Sequence, residues 1–93
     1  PDLPLVAASC HDRAELERAA ALGVDFAVLG PVKPTLTHPD QPALGWSAFE
    51  HIVAGLPMPV FALGGLAPSD MESARAAGAH GIAAIRASWR GVV

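Results

Sequence analysis

Short apolar runs alternate along the chain with segments that carry helix signals. The runs lie at residues 3–8, 26–29, 59–63 and 81–85. Their nearly continuous apolar character is typical of strands that are buried on both faces of a parallel sheet. The segments between the runs contain glycines and prolines at positions where helices begin or end. The pattern therefore predicts four strands separated by helices and loops.

The segment after the first run carries signals for both ends of a helix. Asp12 can cap the start, and Glu15 can reach back to that cap. Leu16 and Ala19 fall on one face of the helix, as the helical period requires. Gly23 tolerates the left-handed conformation that ends many helices. We therefore predict one complete strand–helix unit in this part of the chain.

Two further helices are predicted later in the chain. One spans residues 46–53, and the other begins near Pro68, which suits the first turn of a helix. In the latter helix, Met71, Ala74 and Gly78 would form the buried side, and the glycine would end it. A further helix is predicted after the fourth strand.

Strands that alternate with helices form parallel sheets through right-handed crossovers. We therefore predict an α/β fold, in which about four βα units make half of a (β/α)8 TIM barrel, whose usual size is about 250 residues. An independent four-stranded open sheet is the alternative. Residues 1–93 would form a single partial domain, and the start at Pro1 without a methionine suggests processing or a fragment. Unpaired edge strands would make such a piece associate.

Composition and charge exclude several functional classes. A net charge of −3 argues against a nucleic-acid partner, and a chain that is 52% hydrophobic and 16% charged is not disordered. The one cysteine excludes a disulfide scaffold and fits a reducing compartment. No apolar run approaches the roughly 20 residues that a membrane span needs. We expect a cytoplasmic protein with no membrane partner.

Polar residues and glycines are predicted to follow each strand, where parallel topology brings them to one rim. The glycine pair Gly64-Gly65 can let a phosphate approach the backbone, together with the loop that begins at Arg86. Thr35 and Thr37 would aim both hydroxyls the same way on an extended backbone. The plainer alternatives are a tight turn for the glycines and a solvated loop for the threonines. In full, the predicted rim comprises Ser9, Cys10, His11, residues 30–38, Gly64-Gly65 and residues 86–88.

Histidine and cysteine could in principle form a metal or nucleophilic site. His11 and His38 can converge at the rim, but the sequence offers no third ligand for zinc. His51 and His80 are predicted to be surface residues. Cys10 is predicted to be a small buried apolar residue rather than a nucleophile.

Four motifs follow one another along the chain at the predicted ends of the strands and in the last strand. They are Ser9-Cys10-His11, Gly30-Pro31-Val32-Lys33-Pro34-Thr35-Leu36-Thr37-His38, Ala62-Leu63-Gly64-Gly65-Leu66 and Gly81-Ile82-Ala83-Ala84-Ile85. Together they resemble the thiamine phosphate synthase family. The resemblance covers nearly all of the chain, but only the carboxyl-terminal half of that family's barrel. The region around His38-Pro39 and residues 44–46 is most similar to a module fused behind a Nudix hydrolase domain in bacteria.

This resemblance implies transfer of an aminopyrimidine from its diphosphate to a thiazole phosphate, giving thiamine phosphate and pyrophosphate. It implies that Ser9 contacts the pyrimidine diphosphate and that His38 stands beside the pyrophosphate. It also implies magnesium as cofactor, with carboxylate ligands in an amino-terminal half-barrel that this chain lacks. The 93 residues alone would then be inactive. The thiazole phosphate would be held by Thr35, Thr37, Gly64, Gly65, Ile85 and Arg86.

Two departures from the family pattern keep other functions open. His38 replaces a lysine, which removes a permanent positive charge. Arg86 replaces a serine and adds a fixed cation that suits phosphate. Pro31 fits the family pattern, but the related thiazole tautomerase branch tends to carry histidine there, so a tautomerase would lack its expected acid–base residue. The alternatives are a non-catalytic module that binds a thiamine precursor or product for a fused partner, a tautomerase-like enzyme, and another phosphate-binding barrel enzyme.

Overall fold

The computed structural model describes residues 5–34 and 42–83. Their helices and strands alternate, as the sequence predicts. In chain order they are β1 (Ala7–Cys10), α1 (Arg13–Leu22), β2 (Phe26–Leu29), α2 (Gly45–Val53), β3 (Val60–Leu63), α3 (Met71–Ala76), which a 3-10 turn (Pro68–Asp70) precedes, and β4 (Gly81–Ala83).

The four strands form one parallel sheet in the order β1-β2-β3-β4. In its central row, Ser9 pairs with Val28, Val28 with Phe61, and Phe61 with Gly81. Right-handed crossovers between strands that follow in sequence put every connecting helix on the same face of the sheet. That is the arrangement of a (β/α)8 barrel, whereas doubly wound sheets reverse direction at a switch point. The predicted barrel segment is confirmed.

The core lies between one face of this sheet and the helices. Alternation along the strands sends every second side chain to that face. Leu16 of α1, Phe49 of α2 and Ala74 of α3 are fully buried in the same cluster. The strand residues of the cluster are Cys10, Ala27, Leu29, Val60 and Ala62.

Helix α1 begins and ends where its sequence predicts. Oδ1 of Asp12 accepts a hydrogen bond from the Glu15 amide at 2.8 Å, and Gly23 ends the helix with φ of +76°. The Glu15 carboxylate differs from the prediction. It accepts a hydrogen bond from the His11 amide at 2.6 Å, rather than reaching back to Asp12.

The first strand was predicted too early in the chain. Leu5 and Val6 are exposed, and β1 runs from Ala7 to Cys10. The backbone of Val6 is tied to Asp25, which donates its amide to the Val6 carbonyl and accepts the Val6 amide on its carboxylate, both at 2.7 Å. Pairing with β2 therefore decides where the strand begins, whereas the apolar run does not.

Cys10 closes β1 and is buried, as predicted. Its side chain lies in the core, with 3% of the residue exposed. Burial raises the pKa of the Cys10 thiol, and the carboxylates of Glu15 and Asp12 raise it further. A thiol with a raised pKa holds its proton and is a poor nucleophile.

The buried side of α3 also differs from the prediction. Ala74 is fully buried, but Met71 is 36% exposed and Gly78 is exposed, while Ala77 is buried. A helix turns by about 100° per residue, so Met71 and Gly78 lie to one side of Ala74 and Ala77 lies to the other. The predicted stripe was thus centred on the wrong side of Ala74.

Strand β4 is described as far as Ala83. The last two residues of the predicted strand, and the helix predicted after it, lie outside the described residues. Within the described ranges, no helix is long and apolar enough to cross a membrane.

Candidate functional site

Two loops at the carboxyl ends of β2 and β3 pack directly against each other. We call residues 30–34 the β2 loop and residues 64–67 the β3 loop. The Val32 amide donates to the Leu63 carbonyl at 2.8 Å, and the Lys33 amide donates to the Gly64 carbonyl at 3.1 Å. The pairing of the two strands therefore continues beyond their ends, and the two loops form one unit.

Glycine is required in the β3 loop because the β2 loop lies so close to it. A Cβ at Gly64 would lie 2.6 Å from the Cα of Pro31, and a Cβ at Gly65 would overlap the carbonyl oxygen of Pro34. Both glycines also have positive φ, +101° and +65°. Backbone conformation and lack of space thus both exclude a larger residue.

The start of α2 anchors the other end of the segment that follows the β2 loop. The Leu44 amide donates to the Pro31 carbonyl and the Gly45 amide to the Val32 carbonyl, both at 2.9 Å. Val32 is buried in the core. The β2 loop and the start of α2 therefore meet at the end of the sheet that carries the β3 loop.

An ion pair joins the β2 loop to the start of α3. Nζ of Lys33 lies 2.7 Å from Oδ1 of Asp70, whose side chain is 13% exposed. The other oxygen, Oδ2, accepts a hydrogen bond from the Ala67 amide at 2.8 Å. This backbone hydrogen bond, and then the bond from Lys33, lower the pKa of the Asp70 carboxyl below its usual 3.8.

The β3 loop has backbone donors that can face an anion. Within residues 5–34 and 42–83, no hydrogen bond uses the amide N–H of Gly65 or Leu66 as its donor. Successive amides around a glycine with positive φ can form a concave anion-binding site. The loop therefore has the chemistry for binding phosphate through its backbone.

Ser9 lies elsewhere than its sequence prediction put it. It is inside β1 rather than after it, and it is exposed. Its register partner is Val28, which pairs with Phe61, three residues before Gly64. Ser9 therefore lies deeper in the sheet than the two loops. Because side chains alternate along a strand and Cys10 lies in the core, Ser9 is on the face opposite the helices. The sequence places it after the strand because the end of β1 is decided by pairing with β2.

The other residues predicted for the site are not all described. Gly64 and Gly65 are placed in the β3 loop, as predicted. The remaining predicted residues lie outside the described ranges, and their place in the site stays a prediction. They are Thr35, Thr37, His38, Ile85 and Arg86.

Metal-ligating side chains are scattered in the described part of the chain. His11 is exposed, and its Nδ1 lies 3.1 Å from Oε1 of Glu15. His51 and His80 are exposed, which confirms that they are surface residues. Among the described residues, no three histidine, cysteine, aspartate or glutamate side chains are grouped so as to hold a metal ion. These residues do not fit a magnesium site.

Sequence reasoning missed the ion pair between Lys33 and Asp70. Part of it had a local signal, because Asp70 stands three residues after Ala67, at the spacing of a capping box, with Pro68 between them. The partner Lys33 is 37 residues away in the chain. No local pattern identifies a contact of that separation.

Comparison with known proteins gives the chain its family. The family model described as thiamine monophosphate synthase matches residues 2–88. The thiamine-phosphate synthase of Thermosynechococcus vestitus is 40% identical over 83 residues, which cover 89% of this chain and 24% of that protein. The thiamine-phosphate synthase of Myxococcus xanthus is 40% identical over 77 residues, which cover 82% of this chain and 35% of that protein.

A solved structure shares the fold. The thiamine phosphate pyrophosphorylase from Pyrococcus furiosus superposes with a TM-score of 0.73 at 29% identity, over 86% of this chain and 38% of that one. The chain thus spans well under half the length of each of these three proteins. Since the family model matches nearly the whole chain, the chain belongs to the thiamine monophosphate synthase family.

Proposed function

We propose that this chain supplies the thiazole phosphate-binding part of an enzyme that makes thiamine phosphate. The reaction transfers an aminopyrimidine from its diphosphate to the thiazole nitrogen and releases pyrophosphate. The observation that carries the proposal is the close packing of the β2 loop on Gly64 and Gly65. The names of the two relatives and of the solved structure support the same activity.

The chain's own residues would bind and orient the phosphorylated substrate. In this proposal, the amides of Gly65 and Leu66 bind its phosphate, and the hydroxyls of Thr35 and Thr37 complete the site. Arg86, next to Ile85, adds a fixed cation. Holding the phosphate at one rim positions the thiazole nitrogen for attack and lowers the entropy lost on reaching the transition state.

The pyrimidine diphosphate would lie on the sheet face that carries Ser9. Ser9 would donate a hydrogen bond to it, and His38 would lie beside the departing pyrophosphate. The resemblance implies that magnesium would neutralise the leaving group's charge and that its carboxylate ligands belong to an amino-terminal half-barrel. The described residues offer no site for it, and we derive no step from it.

The outer edge of β1 would receive the other part of the barrel. Leu5, just before β1, and Leu22, at the end of α1, are exposed. A shallow open groove lies beside the strand, lined by Ala8, Ser9, Cys10, Glu15, Arg18, Ala19 and Leu22. Among the described residues, β1 pairs with β2 alone. We propose that an amino-terminal half-barrel docks here, because an open edge strand is a template for pairing.

We also propose a cytoplasmic location. The chain's single cysteine, Cys10, is free and buried, which suits a reducing compartment.

Kinetics of the full-length protein test the proposed reaction. With pyrimidine diphosphate, thiazole phosphate and magnesium, we expect formation of thiamine phosphate. Thr35→Val should raise the KM for thiazole phosphate by about tenfold or more, because it removes a hydroxyl from the phosphate site. The KM for the pyrimidine diphosphate should stay the same. Absence of turnover at saturating substrates would refute the synthase.

A second function is favoured by His38, which stands where the family carries lysine. The chain would then bind a thiamine precursor or product without transferring anything, and would serve a fused partner such as a Nudix hydrolase. Calorimetry would show thiazole phosphate binding without turnover, and His38→Lys would bring turnover back. No binding of thiazole phosphate or thiamine phosphate would rule out both functions.

A further inference from the structure

We propose that Lys33 and Asp70 form a latch that positions the β2 loop over the β3 loop for binding of the ligand's phosphate. The proposal rests on the proposed function and goes beyond it, because it assigns a role to two residues outside the predicted site. Both are positioning residues. Neither has to touch the substrate.

The carboxylate side of the latch is held in place independently of Lys33. Oδ2 of Asp70 is bound to the Ala67 amide at 2.8 Å, which leaves Oδ1 to face the β2 loop. The side chain is 13% exposed. The Lys33 side chain is 46% exposed, so solvent screens the pair, but a carboxylate fixed in this way loses little side-chain freedom on pairing.

The lysine side is held through its backbone as well as its side chain. The Lys33 amide donates to the Gly64 carbonyl at 3.1 Å, and its Nζ reaches Asp70 at 2.7 Å. One residue of the β2 loop therefore contacts both the β3 loop and the turn that follows it. The latch crosses the β3 loop. Gly64 and Gly65 leave space for the β2 loop, but they have no side chains that could fix the separation of the two loops.

A direct role for Lys33 as a phosphate ligand is the rival explanation, and the two make opposite predictions. If Asp70 only occupies the lysine, Asp70→Asn frees a cation, and phosphate should bind more tightly. If the pair is a latch, the same substitution loosens the loop, and phosphate should bind more weakly. The asparagine amide oxygen can still accept the Ala67 hydrogen bond, so the turn is kept.

Amide hydrogen exchange in the full-length protein tests the latch without any ligand. In Lys33→Met and in Asp70→Asn, we expect the Val32 and Lys33 amides to exchange about fivefold faster. The Ala27 amide, which donates to the Pro59 carbonyl at 3.0 Å, should be unchanged. Glu17→Gln is the matched control, since it removes the exposed ion pair with Arg13 and should leave both loop amides as they are.

Ligand binding then tests what the latch is for. Lys33→Met and Asp70→Asn should each weaken the binding of thiazole phosphate by about fivefold. The double variant should bind no more weakly than either single variant, because both substitutions break the same contact. Lys33→Arg should bind thiazole phosphate as tightly as the unsubstituted protein. The unphosphorylated thiazole alcohol should bind all variants alike, which a general loss of structure would not allow.

Three results would overturn the latch. They are unchanged exchange of the loop amides, tighter phosphate binding by Asp70→Asn, and additive losses in the double variant. If the unsubstituted protein fails to bind thiazole phosphate, the proposed function fails, and the exchange measurement still decides whether the latch exists.

Discussion

The two strand-to-helix turns that lead into α1 and α3 begin their helices in different ways. Before α1, a side chain caps the helix, because Oδ1 of Asp12 accepts a hydrogen bond from the Glu15 amide. Before α3, the first helical residues form a 3-10 turn, and Ala67 at its start has no side chain that can accept a hydrogen bond. Only the Asp70 carboxylate reaches back, to the Ala67 amide.

The difference reflects what else each turn must do. The turn before α1 is exposed and only has to start a helix, so a charged cap serves it well. The β3 loop must also leave space for the β2 loop, and it does so with two glycines. The helix that follows the β3 loop is therefore capped more weakly than α1, because the β3 loop must allow the β2 loop to approach closely. That trade of local stability for geometry is common at functional sites.

The largest effect should come from Gly65→Ala. The Cβ would overlap the Pro34 carbonyl oxygen, and the residue has φ of +65°. We expect a loss of about 3 kcal/mol of unfolding free energy from strain and overlap together. Thiazole phosphate binding should also fall by about tenfold or more, since the β2 loop is displaced. Urea unfolding and calorimetry on the full-length protein measure the two effects.

Gly55→Ala is the matched control for this experiment. Gly55 has a similar φ of +76°, but nothing lies within 4 Å of its Cβ position. We expect only the backbone cost of about 1 kcal/mol and unchanged ligand binding. Equal losses in the two variants would show that the β2 loop does not press on Gly65.

A smaller effect should follow from exchanging the capping chemistry of the two turns. Asp12→Ala should cost about 1 kcal/mol, because the Glu15 amide loses its acceptor. Ala67→Thr should gain up to about 1 kcal/mol, since Ala67 is exposed and extended, with φ of −117°. Thermal unfolding of both variants measures this. If Ala67→Thr is destabilising, the turn before α3 is not short of a cap.

Much of the fold could be predicted because its signals are local. The bounds of β2 match the apolar run at residues 26–29, and the cap and glycine of α1 were found in the sequence. The start of β1 could not be found, because it depends on pairing with β2 and on the contact between Val6 and Asp25. An apolar run indicates burial or pairing somewhere, but it does not say which residue enters the ladder.

The site was predicted only in part, for the same physical reason. The glycine pair after β3 was identified, because paired glycines before a helix are visible in the sequence. The close approach of Gly65 to Pro34, and the ion pair of Lys33 with Asp70, join segments about 30 or more residues apart. Such contacts exist only once the parallel sheet has brought the two loops together at the carboxyl ends of its strands.

The smallest effect should appear in acid, at the Asp70 carboxyl. Its pKa in the folded protein lies below 3.8, because the Ala67 amide and Lys33 favour the charged form. A lowered pKa contributes stability that is present above the unfolded value and is lost as the pH falls through the folded value. The turn before α3 should therefore lose stability only below about pH 4.

Asp70→Asn isolates this contribution from the protein's other carboxylates. Those groups titrate in both proteins and cancel when the two are compared, whereas the charge at residue 70 is present only in the unsubstituted one. The difference in unfolding free energy between the two proteins should therefore be constant from pH 7 to about pH 5 and shrink below about pH 4. Urea unfolding across this range measures it. A difference that does not change with pH would mean that Asp70→Asn removes a neutral contact rather than a charge, and that the ion pair with Lys33 adds no stability to the turn before α3.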